Sequence, residues 1–468
     1  MRWLLGEYRP DTAPFLTNDL SVAKNVYATS NGYAPVKSPT QIAPALSGTF
    51  KGAAAFISSS GGPRVLAGDT TNLYRLTGGT WTSVIGSLSV NTFWQFAQFG
   101  DHIICANGGA PIDFDLLLGT AAPVSGSPPS ADLVAVVRDF VVLGRAGGDA
   151  ITVAWSDLGD HTIWTPGTGQ AGQQPIYQGG KVMGLTGGEY GLVLQRFAIT
   201  RMSYTGDATD PFQFDTISSN YGCAAEKSVA QAGDLVFFWS DRGFVQVQAG
   251  QIAPIGIEKI DKTFRDAYTA ADLINLWTAI DPERTLVLWC MPGRVFCYNW
   301  TIQRWTTWEI PVQAVFQFFT QSMTLTQIDA LYGDIDHIPY SLDHPIFAGG
   351  QPRPAFIGLD GAFNVLSGPN LGASLKPGSM ELSPGRKSRL RMARPLTDAM
   401  DGVTLRLFSG ERLGENYGFE DYIYVSSNGD MPIRVNARYL RPEMDIAAGS
   451  VWTYCQGAEF TGVAGGVH

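Results

Sequence analysis

The chain has 468 residues and sets 32 Lys+Arg against 42 Asp+Glu for a formal net charge of −10, which excludes a protein that is basic overall and grips nucleic acid by charge. Hydrophobic residues make up 45% and charged residues 16%, below the ~25% charge of ordinary soluble domains, so a globular chain with a large core is expected instead of a disordered one. The 54 glycines and 27 prolines are spread along the sequence, which points to many short strands joined by turns and against long helices.

The opening MRWLLGEYRPD meets Glu7 before any apolar stretch is complete, and no apolar run approaches the ~18 residues of a spanning helix. Neither a signal peptide nor a membrane anchor is expected, and the five cysteines, in apolar settings such as HIICAN and LVLWC, read as reduced, buried thiols of a protein made in a cytoplasm. Residues 1–49 carry turn signals at Asn31-Gly32 and Pro35 but no regular phrase. They are expected to run as an extended N-terminal arm and assembly segment against another part of an assembly.

From about Phe50 the chain repeats itself. Each unit is an apolar strand, a turn, a very apolar strand, a turn, an alternating strand and a short segment often holding Trp, as in DLVFFWSDRGFVQVQAGQ followed by IAPIG. The units open near Phe50, Trp94, Leu133, Val182, Lys227, Ile274 and Val312, 38 to 49 residues apart. The last one places its second and third strands in DALYGDIDHIPYSLD and continues into HPIF, at 329–347. That period with about four strands per unit matches the blades of a β-propeller. Second strands such as LVFFW (235–239) and LVLWC (286–290) are continuously apolar, as burial between neighbouring blades demands, whereas the third strand of the fifth unit is broken by Gln246 and Gln248. An all-β fold follows, with a propeller of about seven four-stranded units over 50–372; two or three unrelated sandwiches are the alternative.

Past Leu375 the phrase gives way to period-two strands, SRLRMARPL, VTLRLFS, PIRVNARYLRPEMDI and SVWTYCQGAEFTG, which read as a C-terminal β-sandwich interface domain over 373–468. PGRKSRLRMARP within it holds Arg386, Lys387, Arg389, Arg391 and Arg394, with no acidic residue from Ser383 to Thr397. On a strand, Lys387, Arg389 and Arg391 share one face. This basic ridge is the candidate subunit or partner interface; a solvated face is the plain alternative.

Motifs for chemistry are scarce. The sequence holds no His-Glu-x-x-His, Gly-x-Ser-x-Gly, Walker or Cys-x-x-Cys motif, and no catalytic, cofactor-binding or metal-binding residue is assigned. The string Gly167 to Gly172 has the Gly-x-Gly-x-x-Gly form but lacks the strand before it and the helix after it that a dinucleotide site needs. SDLGDHTIW at 156–164 resembles the aspartate-box turn of sialidase propellers with the wrong spacing. Asp329, Asp334, Asp336, His337, Asp343 and His344 form a string that reads either as ligands for a hard cation or as turn carboxylates.

Three stretches carry a family resemblance. LSVAKNVYATSNGYAPVKSP (20–39), the run from WSDLGDHTIW at 155 to WSDRGF at 244, and PGRKSRLRMARPLTD (384–398) resemble the tail nozzle, or packaged-DNA stabilisation, proteins of short-tailed bacteriophages, similar to podovirus tail tubular protein B. The resemblance implies a non-enzymatic virion structural protein, made in the host cytoplasm and placed in the virion tail. It would assemble with itself as a ring, a homo-hexamer, below the portal and its adaptor (the head-to-tail connector), with tail fibres or tailspikes as further partners. Double-stranded DNA would pass through the lumen without sequence-specific binding, retained until ejection, and no cofactor is implied. The acidic balance suits a conduit that repels phosphates weakly. The rival expectation is a carbohydrate-binding or glycoside-hydrolysing propeller of a phage tail. It would need exposed aromatics in equivalent blade loops, where Trp81, Trp164 and Trp308 recur, or convergent carboxylates in a central pocket.

Overall fold

The computed structural model describes residues 2–319, 350–381, 383–413, 418–419, 422–426 and 428–464. Among the described residues, seven antiparallel four-stranded blades are arranged radially as a propeller, six as separate sheets and one as part of a larger sheet. Their innermost strands are Gly52–Ile57, Gln95–Phe99, Leu133–Val137, Val182–Thr186, Ala230–Ala232, Trp277–Asp281 and Val312–Phe319, each beginning within three residues of a position where the sequence phrase opens. Innermost strands of neighbouring blades pack together, except that Val182–Thr186 of blade 4 meets blade 5 at the turn Glu226–Ser228, and Val312–Phe319 packs against Gly52–Ile57, so the ring is closed.

The second strands show why the phrase was so apolar. Phe140–Gly144 is buried at every residue, and so is Leu286–Met291, because each lies between two neighbouring blades and has no solvent face. In the third strand of blade 5, Val245 and Val247 are buried while Gln248 is exposed, giving the alternation of a strand nearer the rim.

Blade 7 departs from the sequence reading. Residues 329–347 lie outside the described residues, together with the Asp/His string that they contain. The blade continues instead from Val312–Phe319 to Pro352–Gly358 and Phe363–Asn370, and its fourth strand comes from the other end of the chain: Lys37–Ala43 pairs antiparallel with Phe363–Asn370, Ala43 opposite Phe363 and Lys37 opposite Asn370. The ring is therefore closed by hydrogen bonds between early and late chain, which covers the third strand of blade 7 and leaves it with a short outer edge like those of the other blades.

The N-terminal arm is extended, and its strand partners lie in its own chain. β1 (Arg2–Leu4), β2 (Leu20–Lys24), β3 (Val26–Thr29) and β4 (Gly32–Pro35) join the C-terminal strands in a two-sheet sandwich. One sheet runs β3, β4, Cys455–Ala464, Ser388–Thr397, Met431–Ala437, with β1 also on Cys455–Ala464. The other runs β2, Ala373–Pro377, Tyr439–Ile446, Val403–Gly410, and is continuous with blade 6 because Lys24 on β2 pairs in parallel with Thr307. Asn25 locks that junction: its backbone is left-handed (φ 57°), its side-chain amide donates to the Gly372 carbonyl at 2.8 Å, and its side-chain oxygen accepts from the Glu309 N–H at 2.7 Å.

Propeller and sandwich share one core. Phe237, Phe244, Trp289 and Trp305 of blades 5 and 6 belong to the same buried cluster as Trp3, Tyr33, Leu375, Leu405, Met444 and Phe460. The rings of Trp289 and Trp305 stack at 5.5 Å, and Phe244 lies 4.6 and 4.9 Å from them. The Trp289 and Trp305 N–H groups donate to the carbonyls of Ser228 and Ile255 at 3.0 and 2.9 Å, so neither indole buries an unpaired donor.

Two outcomes follow. Leu405→Ala, in the sandwich, should cost about 2–5 kcal/mol and move a single unfolding transition in which tryptophan fluorescence and far-ultraviolet circular dichroism coincide; two separated transitions would show the halves to be independent. All five cysteines are free and buried, and burial raises their thiol pKa values, those of Cys223 and Cys455 to about 12. A disulfide reagent at pH 8 should therefore label none of the five in the native protein and all of them in urea.

Candidate functional site

The basic string of the sequence lies on the outer face of the sandwich. Along Ser388–Thr397, Leu390 and Ala393 point inward and are buried, while Arg389, Arg391 and Arg394 are exposed. The register shift between Leu390 and Met392 changes the phase, so Arg391 and Arg394, three residues apart, both face out. Arg394 is held by Asp430, Nε at 2.9 Å and Nη2 at 2.8 Å. Lys387 does not share the ridge: it precedes the strand, is half-buried and pairs with Glu411 at 3.0 Å. Arg386, Arg389 and Arg391 have no acidic partner among the described residues, and the adjacent strand Met431–Ala437 adds Arg434, exposed and equally unpartnered. Sequence reasoning missed Arg434. The alternation of Pro432, Arg434 and Asn436 was the available signal, but nothing local says which strand lies beside which.

The second site is the propeller axis. Trp277, on the innermost strand of blade 6, lies 5.3 Å from the Phe50 ring at blade 1 and 6.4 Å from Phe93 at blade 2, and the Lys227 ammonium before blade 5 sits 4.0 Å over its face. One indole thus meets residues from across the ring and fills the axis at this level. Desolvation, aided by the charge of Lys51, pushes the Lys227 pKa down to about 8. Beside it an ion-pair cluster ties blades 3, 4 and 5: Arg145, only 4% exposed, contacts Asp132 and Glu226 at 2.7 Å each, and Lys181 reaches Glu226 at 2.7 Å.

A third cluster was not foreseen. His102 begins the second strand of blade 2, Asp113 lies on the third, and His161 comes from the long loop between the third and fourth strands of blade 3. His102 Nδ1 is 3.0 Å from both Asp113 carboxylate oxygens, and His161 Nε2 is 3.2 Å from Oδ2. Burial opposes ionisation of Asp113, but the hydrogen bonds and charges of the two imidazoles outweigh it and hold its pKa below the usual carboxylate range. The loop is SDLGDHTIWTPGTGQAG. Its carboxylates are turn-builders: Asp157 accepts from the N–H groups of Leu158 and Gln170 at 2.8 and 2.6 Å, and Asp160 from that of Thr162 at 2.8 Å. The glycine string wraps Asp157, and a Cβ at Gly169 (φ 58°) would lie within 2.4 Å of that carboxylate. The next element is the strand Gly172–Pro175. There is no helix N-terminus here to receive a pyrophosphate.

The recurrent tryptophans pack inward. Trp164 and Trp308 are buried and Trp81 half-buried, and their N–H groups donate to the carbonyls of His161, Val26 and Pro44. They give no exposed aromatic platform. A cavity of about 700 Å³ opens where blade 7 meets the sandwich, lined in part by Tyr27, Arg284, Arg353 and Trp452. Its Asp281 is already paired with Arg284 at 3.0 Å.

These features define a seven-bladed propeller whose terminal strands build a sandwich onto blade 6. No family model matches the sequence, and no curated protein matches it either. Similar solved structures include the extracellular domain of a hybrid two-component system from B. thetaiotaomicron (10% identity, TM-score 0.44, covering 83% of this chain and 47% of that one). Others are the Neurospora crassa Pan2 WD40 domain (7%, 0.40, 60% and 89%) and the N-terminal domain of Nup159 (10%, 0.39, 75% and 98%). The chain spans about half the length of the bacterial extracellular domain. At these identities the likeness is one of fold alone.

The low pKa of Lys227 has a testable consequence. Its charged form is disfavoured in the folded state below pH 8, and the penalty fades as pH rises toward 10.5, where the unfolded chain's lysine also loses its proton. After allowing for the attraction to Trp277, Lys227→Met should stabilise the protein by about 1–2 kcal/mol at pH 7. Urea denaturation from pH 7 to 10.5 should show that gain shrinking; a constant gain would mean packing alone.

Proposed function

We propose that this chain is a virion structural protein, a tail nozzle subunit that assembles as a ring around the DNA exit path of a short-tailed bacteriophage, below the portal and its adaptor. The observation that carries the reading is a convergence. Two of the stretches that resemble that family lie at opposite ends of the sequence, yet the hairpin β3–β4 (from NVYATSNGYAP) and the strand Ser388–Thr397 (from PGRKSRLRMARPLTD) share one sheet, with only Cys455–Ala464 between them. That sheet carries Arg389, Arg391 and Arg434, which have no acidic partner among the described residues. A ring subunit needs two different, complementary surfaces, because head-to-tail contacts close only by rotation. The propeller satisfies its own strand edges, whereas an exposed row of Arg389, Arg391 and Arg434 in a chain of net charge −10 suits an acidic surface of a neighbouring copy. With the propeller axis filled by Trp277, the DNA path in this reading is the lumen between subunits.

Exposed ion pairs contribute about 0.2–1 kcal/mol each and act mainly on register and association rate. The triple variant Arg389→Ser, Arg391→Ser, Arg434→Ser should therefore stay folded but form rings less readily at low salt, with the deficit narrowing as added salt screens the wild-type pairs. Solution mass and electron microscopy of the purified protein and of virions test the reading. A wild-type chain that stays monomeric at every salt concentration and is absent from tails would overturn it; a variant that assembles as well as wild type at every salt would remove the arginine row from the interface.

A further inference from the structure

The described residues include two of the chain's five histidines, and both bind the same carboxylate. We propose that His102, Asp113 and His161 form a binding site for a divalent first-row transition ion of the zinc class, which clasps the third-strand loop of blade 3 to blade 2. The donor atoms, one ring nitrogen from each histidine and a carboxylate oxygen, all lie within 4.8 Å of one another, and two of the separations are 3.0 and 3.2 Å. Ligands at the 2.0–2.2 Å bond lengths of zinc stand roughly 3–3.5 Å apart around the ion, so both histidine–carboxylate separations already match those around a bound ion. Two imidazoles and one carboxylate select an ion of this type over calcium or magnesium, which take oxygen ligands.

The ligands are held from outside. His102 and Asp113 sit on paired strands, where Ile104 is opposite Asp113 and His102 opposite Asp115. His161 is fixed through its carbonyl, which accepts the Trp164 indole N–H at 2.7 Å, and through its ring, which meets the Phe99 edge at 5.7 Å. The turn carboxylates Asp157 and Asp160, both ahead of His161, brace the loop by accepting the N–H groups of Gln170 and Thr162 beyond it. Such outer supports keep ligands in place before the ion arrives. The His102 side chain is 38% exposed, so solvent reaches the site and water completes the coordination.

The experiment uses the full chain carrying His337→Ala, His344→Ala and His468→Ala, which removes the three other histidines of the sequence. After chelator treatment it is titrated with zinc chloride by calorimetry and with cobalt chloride by visible absorption. One zinc per chain is expected, with the ligand-field bands of a nitrogen- and oxygen-bound cobalt and a melting temperature that rises with zinc. His102→Ala and His161→Ala should each weaken zinc binding at least about 100-fold while leaving the metal-free melting curve near its original position. Should either variant fail to fold, X-ray absorption of the zinc-loaded parent decides instead, through the presence or absence of two imidazole ligands. No stoichiometric binding, or binding unchanged in both variants, would leave the cluster a hydrogen-bonded triad and overturn the proposal.

Discussion

The strand pairing between Lys37–Ala43 and Phe363–Asn370 is the constraint on which the molecule rests. A propeller is a sheet array bent into a ring, and some noncovalent seam must hold its first and last blades together. Here the seam is made from the N-terminal side, and the chain before it cannot trail away. It turns at once into β4 and β3, crosses to β2 beside blade 6, and meets the final strand, where Trp3 faces Ala458. The segment that closes the ring is thus continuous with the strands that build the sandwich, whose core is shared with blades 5 and 6.

That weave also distributes charge. The propeller buries one ion-pair cluster: Arg145 sits nearly out of solvent among Asp132, Glu226 and the neighbouring Lys181, where losing one partner would strand a buried charge. The sandwich buries Glu443 between Lys376 and Arg406, but among the described residues Arg389, Arg391 and Arg434 on its outer face have no acidic partner. Groups that have paid no desolvation inside the subunit are free to meet a charge on another molecule, and this contrast separates structural arginines from candidate interface ones within a single chain.

The propeller was legible because burial on both faces writes a strong local signal. Phe237, Phe238, Leu288 and Trp289 are buried, and a run of such residues needs no partner to be recognised. The seam was not legible: KSPTQIA is a rim strand with Lys37, Gln41 and a proline, and its partner lies at the far end of the sequence. The same distance hid the axis, since Phe50, Phe93, Lys227 and Trp277 each looked like ordinary blade residues. The basic string was visible as composition, but the displacement of Lys387 depends on where the strand starts, and Arg434 joins only through sheet order. His102 and His161 belong to different blades, and only the stacking of blade 2 beside blade 3 makes them neighbours.

The seam has a consequence for synthesis. Lys37–Ala43 leaves the ribosome early, and its partner around Phe363 follows about 320 residues later. At roughly 5–20 residues per second the gap is on the order of 15–60 s. For that interval the arm is an unpaired strand beside six growing blades, with a row of free N–H and C=O groups. Pro39 within it has no N–H to offer a wrong partner, and Lys37 opposes stacking of like copies. The features that made the segment hard to read as a strand are those that keep it solvated until its own blade is made.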